Sequence, residues 1–162
     1  MHLNFGPRGT LQIDDARIIY RNFSGVGGKY NREGDRNFAL LIDSEEVKNA
    51  LLDDVNEYGA SWNVKIKPPR DEDEAPFMYM PIKIRFNDRG PNIYLQAGNR
   101  MIRLDEESVS CLDDIEIISV DMDIRPYDDE INGKPFRAAY LSSMKVTQRI
   151  DRFAAQYENE EF

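Results

Sequence analysis

The stretch FMYMPIKIRF, residues 77–86, decides the fold. Successive side chains of a strand point to opposite faces, and here the two rows differ in kind. Met78, Met80, Ile82, Ile84 and Phe86 form an unbroken apolar row that belongs in a core, while Phe77, Tyr79, Pro81, Lys83 and Arg85 form an aromatic and basic row. Upstream, WNVKIKPP (62–69) alternates Trp62, Val64 and Ile66 with Asn63, Lys65 and Lys67, which predicts a second strand with a basic face, ended by two prolines. RDEDEAP (70–76) between them is a solvated loop.

Further out, ARIIYRNF (16–23) and RNFALLID (36–43) read as a hairpin around SGVGGKYNREGD (24–35), whose four glycines leave it flexible. Residues before 16 look loose. DSEEVKNALLDDVNEYG (43–59) predicts one amphipathic helix with Asp43 as N-cap, Val47, Ala50, Leu51 and Val55 on its apolar face, and Gly59 as stop. NIYLQ (92–96) is a short strand, and DEESVSCL (105–112) a short helix opened by Asp105. IEIISVDMDIRPY (115–127) puts Ile118, Val120, Met122 and Ile124 inward, then closes through DDEINGKP (128–135) onto FRAAYLSSMKVTQR (136–149). Seven or so strands with one clear helix and no βαβ alternation give a mainly β fold with one inserted α-helix. An OB-like antiparallel barrel accommodates that order, although its helix usually comes one strand later. The expected layout is one domain over 1–152 and a flexible acidic tail over 153–162.

Composition removes several classes. The 162 residues contain one cysteine, Cys111, so the chain forms no internal disulfide and no thiolate cluster; a reducing cytoplasm is the expected location. The one histidine, His2, sits at the chain end, which leaves histidine-dependent triads and histidine-bound zinc without a candidate. No window nears the roughly 18 apolar residues of a membrane span, and the first residues lack a signal-peptide pattern. Neither a phosphate loop nor a dinucleotide fingerprint occurs, and no cofactor or metal is expected.

A formal charge of -9 argues on average against binding nucleic acid. The charges are unevenly distributed, however. Segments 71–74, 105–116 and 121–130 with the C-terminal end hold eighteen of the thirty acidic residues. Arg17, Arg21, Lys29, Arg32 and Arg36 face only Glu33 and Asp35 between residues 16 and 42, and residues 83–103 carry five basic side chains against Asp88. Single-stranded nucleic acid needs cations for its phosphates and rings for its bases. The first hairpin supplies Arg17, Arg21, Lys29, Arg32 and Arg36, and the strands supply Lys65, Lys67, Lys83 and Arg85. Phe23, Tyr30, Phe77, Tyr79 and Tyr94 are the candidate rings. Asp121 and Asp123 share one strand face and, together with Asp113, Asp114 or Glu116, could hold Mg²⁺ for phosphodiester cleavage by metal-activated water, or form a cross-strand ion pair with Lys145 or Arg149.

The terminus QYENEEF (156–162) carries Glu158, Glu160 and Glu161 and ends in Phe162. It resembles the acidic, phenylalanine-ended tails of bacterial and T7-like phage single-stranded DNA-binding proteins. The run IIYRNFSGVGGKYNREGDRNFALLID (18–43) is similar to small phage-encoded proteins. The resemblance implies a non-enzymatic protein of phage replication or recombination, in the host cytoplasm, with single-stranded DNA as ligand. It also implies a tail that recruits replication or recombination proteins and competes with DNA for the basic groove. A homodimer stays open. Two other readings are a protein-binding module, such as a virion component or an acidic mimic of DNA, and a metal-dependent nuclease.

Overall fold

The computed structural model describes residues 1–150; the tail and the expected boundary at 152/153 lie outside the described residues. Among the described residues there are ten strands: β1 (His2–Phe5), β2 (Leu11–Ala16), β3 (Ile18–Asn22), β4 (Arg36–Ile42), β5 (Lys65–Lys67), β6 (Phe77–Ile84), β7 (Asn92–Ala97), β8 (Arg100–Leu104), β9 (Ile117–Ile131) and β10 (Lys134–Gln148). One helix, α1 (Glu45–Asp53), lies between β4 and β5, and a 3-10 turn spans Val109–Asp113. The fold is mainly β and OB-like, with the helix inserted where the sequence places it.

The sheet runs β1-β2-β9-β10-β6-β4-β3, with β5 on β6 and β7–β8 branching from β10. Its path does not close from β3 back to β1, so the expected barrel is an open, OB-like sheet. Within it, β10 divides its pairing. Near its middle Tyr140 pairs in parallel with Lys83 of β6, and beyond the bulge between Leu141 and Ser143 the strand pairs in parallel with β7. These parallel contacts also make the sheet mixed rather than wholly antiparallel.

The central strand behaves as its alternation requires. Met78, Met80, Ile82 and Ile84 are buried with Leu40, Trp62, Ile93, Val120, Ile124 and Leu141 in one core. The other strands follow the sequence less closely. Residues 2–16 form the β1–β2 hairpin, which extends the sheet by pairing β2 antiparallel with β9, rather than a loose start. The stretch 62–69 is not one strand, because the Val64 amide donates to the Trp62 carbonyl (2.9 Å) and turns the chain before Lys65. That turn breaks the alternation, and Ile66 is exposed. Ser44, not Asp43, caps α1, its hydroxyl accepting from Val47 N at 3.2 Å. The helix stops at Asp53, ahead of the expected Gly59, because the Asp54 carboxylate turns to Trp62 Nε1 (2.8 Å) and Arg137; Val55 is left in solvent. Ile118 is exposed as well, while Val120, Met122 and Ile124 are inward.

The β9–β10 arm is set by a two-residue turn. Asn132 and Gly133 both take positive φ (54° and 77°), which the tightest hairpin demands and which glycine adopts without strain. That turn fixes the register through Ile131↔Lys134 to Arg125↔Tyr140.

Candidate nucleic-acid interface

The outer face of β6 carries a cluster of rings. Tyr79 lies 5.7 Å from Phe77, and Tyr20 packs edge-on to both, at 6.3 Å from Phe77 and 5.4 Å from Tyr79. Tyr20 reaches them through a bulge: the β3–β4 register shifts between Ile19 and Asn22, and Tyr20 has φ 53°, a left-handed conformation that is uncommon for a bulky residue. Its ring is 57% exposed, so the strained backbone presents it outward instead of burying it. Lys65 and Lys67 of β5 pair with Tyr79 and Phe77, and Lys67 Nζ lies 5.6 Å over the Tyr79 ring.

Four residues along β6, about 13 Å at strand rise, lies a second cluster. Lys83 is opposite Tyr140, and Tyr140 is opposite Arg125, so the three side chains share one face across β6, β10 and β9. The Lys83 ammonium lies 5.9 Å and the Arg125 guanidinium 5.3 Å from the Tyr140 ring centre. Tyr127 packs at 6.1 Å from both Tyr140 and Phe136. Arg85 and Arg89 meet Arg125 in an adjoining hollow. Among the described residues, none of Lys65, Lys67, Lys83, Arg85 or Arg125 is in a salt bridge. The result is two ring platforms joined by uncompensated cations.

The first-hairpin candidates are placed unevenly. The loop 24–35 is braced rather than free: Asn22 Oδ1 accepts from Gly25 N and Val26 N, Asn31 Nδ2 donates to the carbonyls of Val26 and Asp35, and Gly27 N donates to Glu33 Oε2 at 2.6 Å. Its root is fixed by Asp113, whose carboxylate accepts from Phe23 N and Ser24 N. Lys29 and Tyr30 stand at the tip, the ammonium 5.3 Å from an almost wholly exposed ring. Arg17 is exposed, Arg32 pairs loosely with Asp35 at 3.6 Å, and Arg36 is bound to Glu106.

Arg21 is occupied internally. Its guanidinium donates to the carbonyls of Leu112 (2.8 Å) and Ile115 (2.7 Å), holding the 3-10 turn to β3. Its guanidinium is thus engaged within the protein rather than presented to DNA. Arg21→Ala is expected to lower stability by about 2 kcal/mol, the loss of hydrogen bonds to a charged donor. Affinity for oligo-dT should change less than about twofold; urea melts and anisotropy titrations separate the two effects. Phe23 is not an outer ring either: it is fully buried, stacked 5.3 Å from Phe38. Tyr94 is apart from both platforms, because β7 joins β10 beyond the bulge; it shares a shallow hollow with Asp14, Asp121, Asp123 and Lys145.

The acidic row is already partnered. Asp121 pairs with Lys145 at 3.6 Å and accepts from Asp15 N at 2.9 Å, while Asp123 accepts from Ser143 Oγ at 3.2 Å. Among the described residues no helix is long and apolar enough to cross a membrane.

Tyr20, Arg125, Tyr127, Phe136 and Tyr140 were not singled out from the sequence. The Asn132–Gly133 turn alone would have set Arg125 opposite Tyr140, since a two-residue loop fixes every later pair. The parallel contact of Tyr140 with Lys83 has no local signal.

Three solved structures of the single-stranded DNA-binding protein from bacteriophage Enc34 are similar to this chain. A C-terminal truncation is 16% identical over 91% of this chain and 90% of that one, with a TM-score of 0.54. A complex with ssDNA is 15% identical, covering 93% of each chain, at 0.53, and a third structure is 14% identical at 0.53, covering 96% of this chain and 93% of that one. At such identities the likeness is one of fold. No curated protein matches the chain. The family model described as "Putative phage ssDNA-binding domain" matches residues 4–161, nearly the full length, and the chain belongs to this phage ssDNA-binding family.

Proposed function

We propose that the chain binds single-stranded DNA, without strong sequence preference, across the outer face of β6, β10 and β9. The family is one of binding domains, and the chain is not an enzyme. Lys65, Lys67, Lys83, Arg85 and Arg125 track phosphates. Tyr20, Phe77 and Tyr79 on one platform and Tyr127, Phe136 and Tyr140 on the other stack bases. Arg17, Lys29, Tyr30, Arg32 and Arg36 flank this path from the β3–β4 side. The observation that carries the reading is the pair of ring platforms on one strand face, joined by cations that no carboxylate neutralises among the described residues. The bound ssDNA of the Enc34 protein, a relative in fold, supports it.

Glu158, Glu160, Glu161 and Phe162 recruit replication or recombination proteins and compete with DNA for the cations, in the cytoplasm of the host.

A fluorescence anisotropy titration with oligo-dT at about 50 mM salt tests the proposal. Affinity should fall with salt, with a log–log slope of about -0.7 per neutralised phosphate. In Lys83→Ala/Arg85→Ala the slope should be shallower by about 1.4, with weaker binding to every sequence. Ending the chain before Glu158 should strengthen binding. Absence of binding by both the intact and the shortened chain overturns the proposal.

A further inference from the structure

We infer that Glu106 is an internal phosphate mimic: its carboxylate occupies a seat on Arg36 that a DNA phosphate takes over. This rests on the ssDNA reading above and adds a regulating residue to it. The seat lies in a cleft of about 510 Å³ at the end of β6 nearest Tyr140, lined by Arg32, Arg36, Lys83, Arg85 and two carboxylates, Asp35 and Glu106.

The two carboxylates are not equivalent. Asp35 pairs with Arg32 three residues away, both side chains mostly in solvent, as neighbouring charges on any surface do. Glu106 comes from 70 residues further along and meets a cation that is built into the wall. Arg36 Nη1 is 3.0 Å from Glu106 Oε1, and Nη2 donates to the Glu106 carbonyl at 3.3 Å. The Arg36 guanidinium lies 5.2 Å over the Phe86 ring, and its side chain is 20% exposed against 64% for Glu106. The cation is thus held by packing, and the anion is the exchangeable half.

Glu106 also fills the guanidinium incompletely. Its carboxylate touches one nitrogen, and Arg36 Nε is buried with no hydrogen-bond partner. Glu106 engages the fork through one carboxylate oxygen, whereas the two non-bridging oxygens of a phosphodiester, which share its single charge, can pair with it in the bidentate geometry that guanidinium binds most strongly. The backbone that carries Glu106 is held in a tight turn. Asp105 Oδ1 accepts from Glu107 N, Ser108 N and Ser108 Oγ, so a fixed turn presents it. Glu106 therefore partly neutralises the cleft, and phosphate must displace a carboxylate to enter.

The test is oligo-dT anisotropy across a salt series with Glu106→Gln, Glu107→Gln, Arg36→Ala and the Glu106→Gln/Arg36→Ala pair. Glu106→Gln should bind about three- to fivefold tighter, the strength of an exposed ion pair, with a slope steeper by up to about 0.7. Glu107→Gln removes the same charge next door and should change affinity by less than about 1.5-fold. In the Arg36→Ala background the Glu106→Gln gain should vanish, since the cycle isolates their coupling. Arg36→Gln, which keeps the stem against Phe86, replaces Arg36→Ala if the latter unfolds. Equal gains from both glutamates, a gain that survives loss of Arg36, or weaker binding by Glu106→Gln would each overturn the inference while leaving the ssDNA reading intact. Failure of the wild type and every variant to bind overturns that reading, and this inference with it.

Discussion

Arg137→Ala is expected to destabilise the protein by about 3 kcal/mol, read as a lower urea midpoint at neutral pH. Arg137 is the one charged residue buried among the described residues, at 7% exposure. Its Nε and Nη2 donate to the two oxygens of Asp128 at 2.7 and 3.1 Å, its Nη1 donates to Asp54 at 3.3 Å, and the guanidinium lies 4.9 Å over the Trp62 ring. Asn56 and Trp62 complete the network, donating to Asp128 and Asp54 at 2.9 and 2.8 Å. Removing one partner of a buried pair costs about 3–5 kcal/mol because the other charges stay behind. The carboxylates here are partly wet, which favours the lower end. Lysine cannot bond both oxygens of Asp128, so Arg137→Lys should recover less than half of the loss.

The same network carries a pH signature. The Arg137 hydrogen bond, first, and the Asn56 bond and the Arg137 charge after it hold the Asp128 carboxyl below its ordinary value, against the opposing effect of burial. Because the folded value is depressed, this stabilisation is present above the unfolded aspartate value near about 4 and is lost as pH falls through the lower folded value. Arg137→Ala should therefore flatten that part of the acid limb. The mutation should also weaken DNA binding, since Arg137 anchors the arm that presents Tyr127, Phe136 and Tyr140.

The second large effect concerns the rings. Tyr79→Ala and Tyr140→Ala are each expected to weaken oligo-dT binding by about tenfold, which corresponds to about 1.4 kcal/mol and lies within the range for one stacked base. The two rings stand on separate platforms more than about 10 Å apart, so their losses should add to about a hundredfold in the double variant. Both sit on the outer face rather than in the core, so melting should move little. Tyr94→Ala, on the acidic side of the bulge, should bind DNA normally. Stacking on every base face is tolerant of sequence, so the losses should be alike on dT and mixed-sequence oligonucleotides.

Much of this was legible because the deciding signals are local. The alternation over 77–86 needs only one strand to sort core from interface: Met78, Met80, Ile82 and Ile84 are buried as read, while Phe86, past the end of β6, is only partly buried and lies under the Arg36 guanidinium. The β3–β4 hairpin follows from two β-rich runs around a glycine-rich turn. What failed depended on distant partners. Val55 has the right helical phase, but the carboxylate of Asp54 is recruited by Trp62 and Arg137, and the helix ends early. Ile66 has the right strand phase, but a local turn at Trp62–Val64 breaks it. Leu11 and Ile13 gave too brief an alternation, beside Gly6, Pro7 and Gly9, to stand out as the strand they form. In the candidate site, Lys65, Lys67, Phe77, Tyr79, Lys83 and Arg85 were readable as outward residues. Arg21 and Phe23 were not readable as inward ones, since only the 3-10 turn and Phe38 claim them. Tyr20 owes its place to a bulge, and Tyr140 owes its place to a parallel contact 57 residues distant in sequence.

Ultraviolet cross-linking of oligo-dT to the protein, with the adducts mapped by mass spectrometry, tests the central claim most directly. The account predicts adducts on Tyr20, Phe77, Tyr79, Tyr127, Phe136 and Tyr140, suppressed together by salt. Adducts confined to Tyr94 and the Asp121–Asp123 side of the sheet, with the two platforms unmodified, would contradict it.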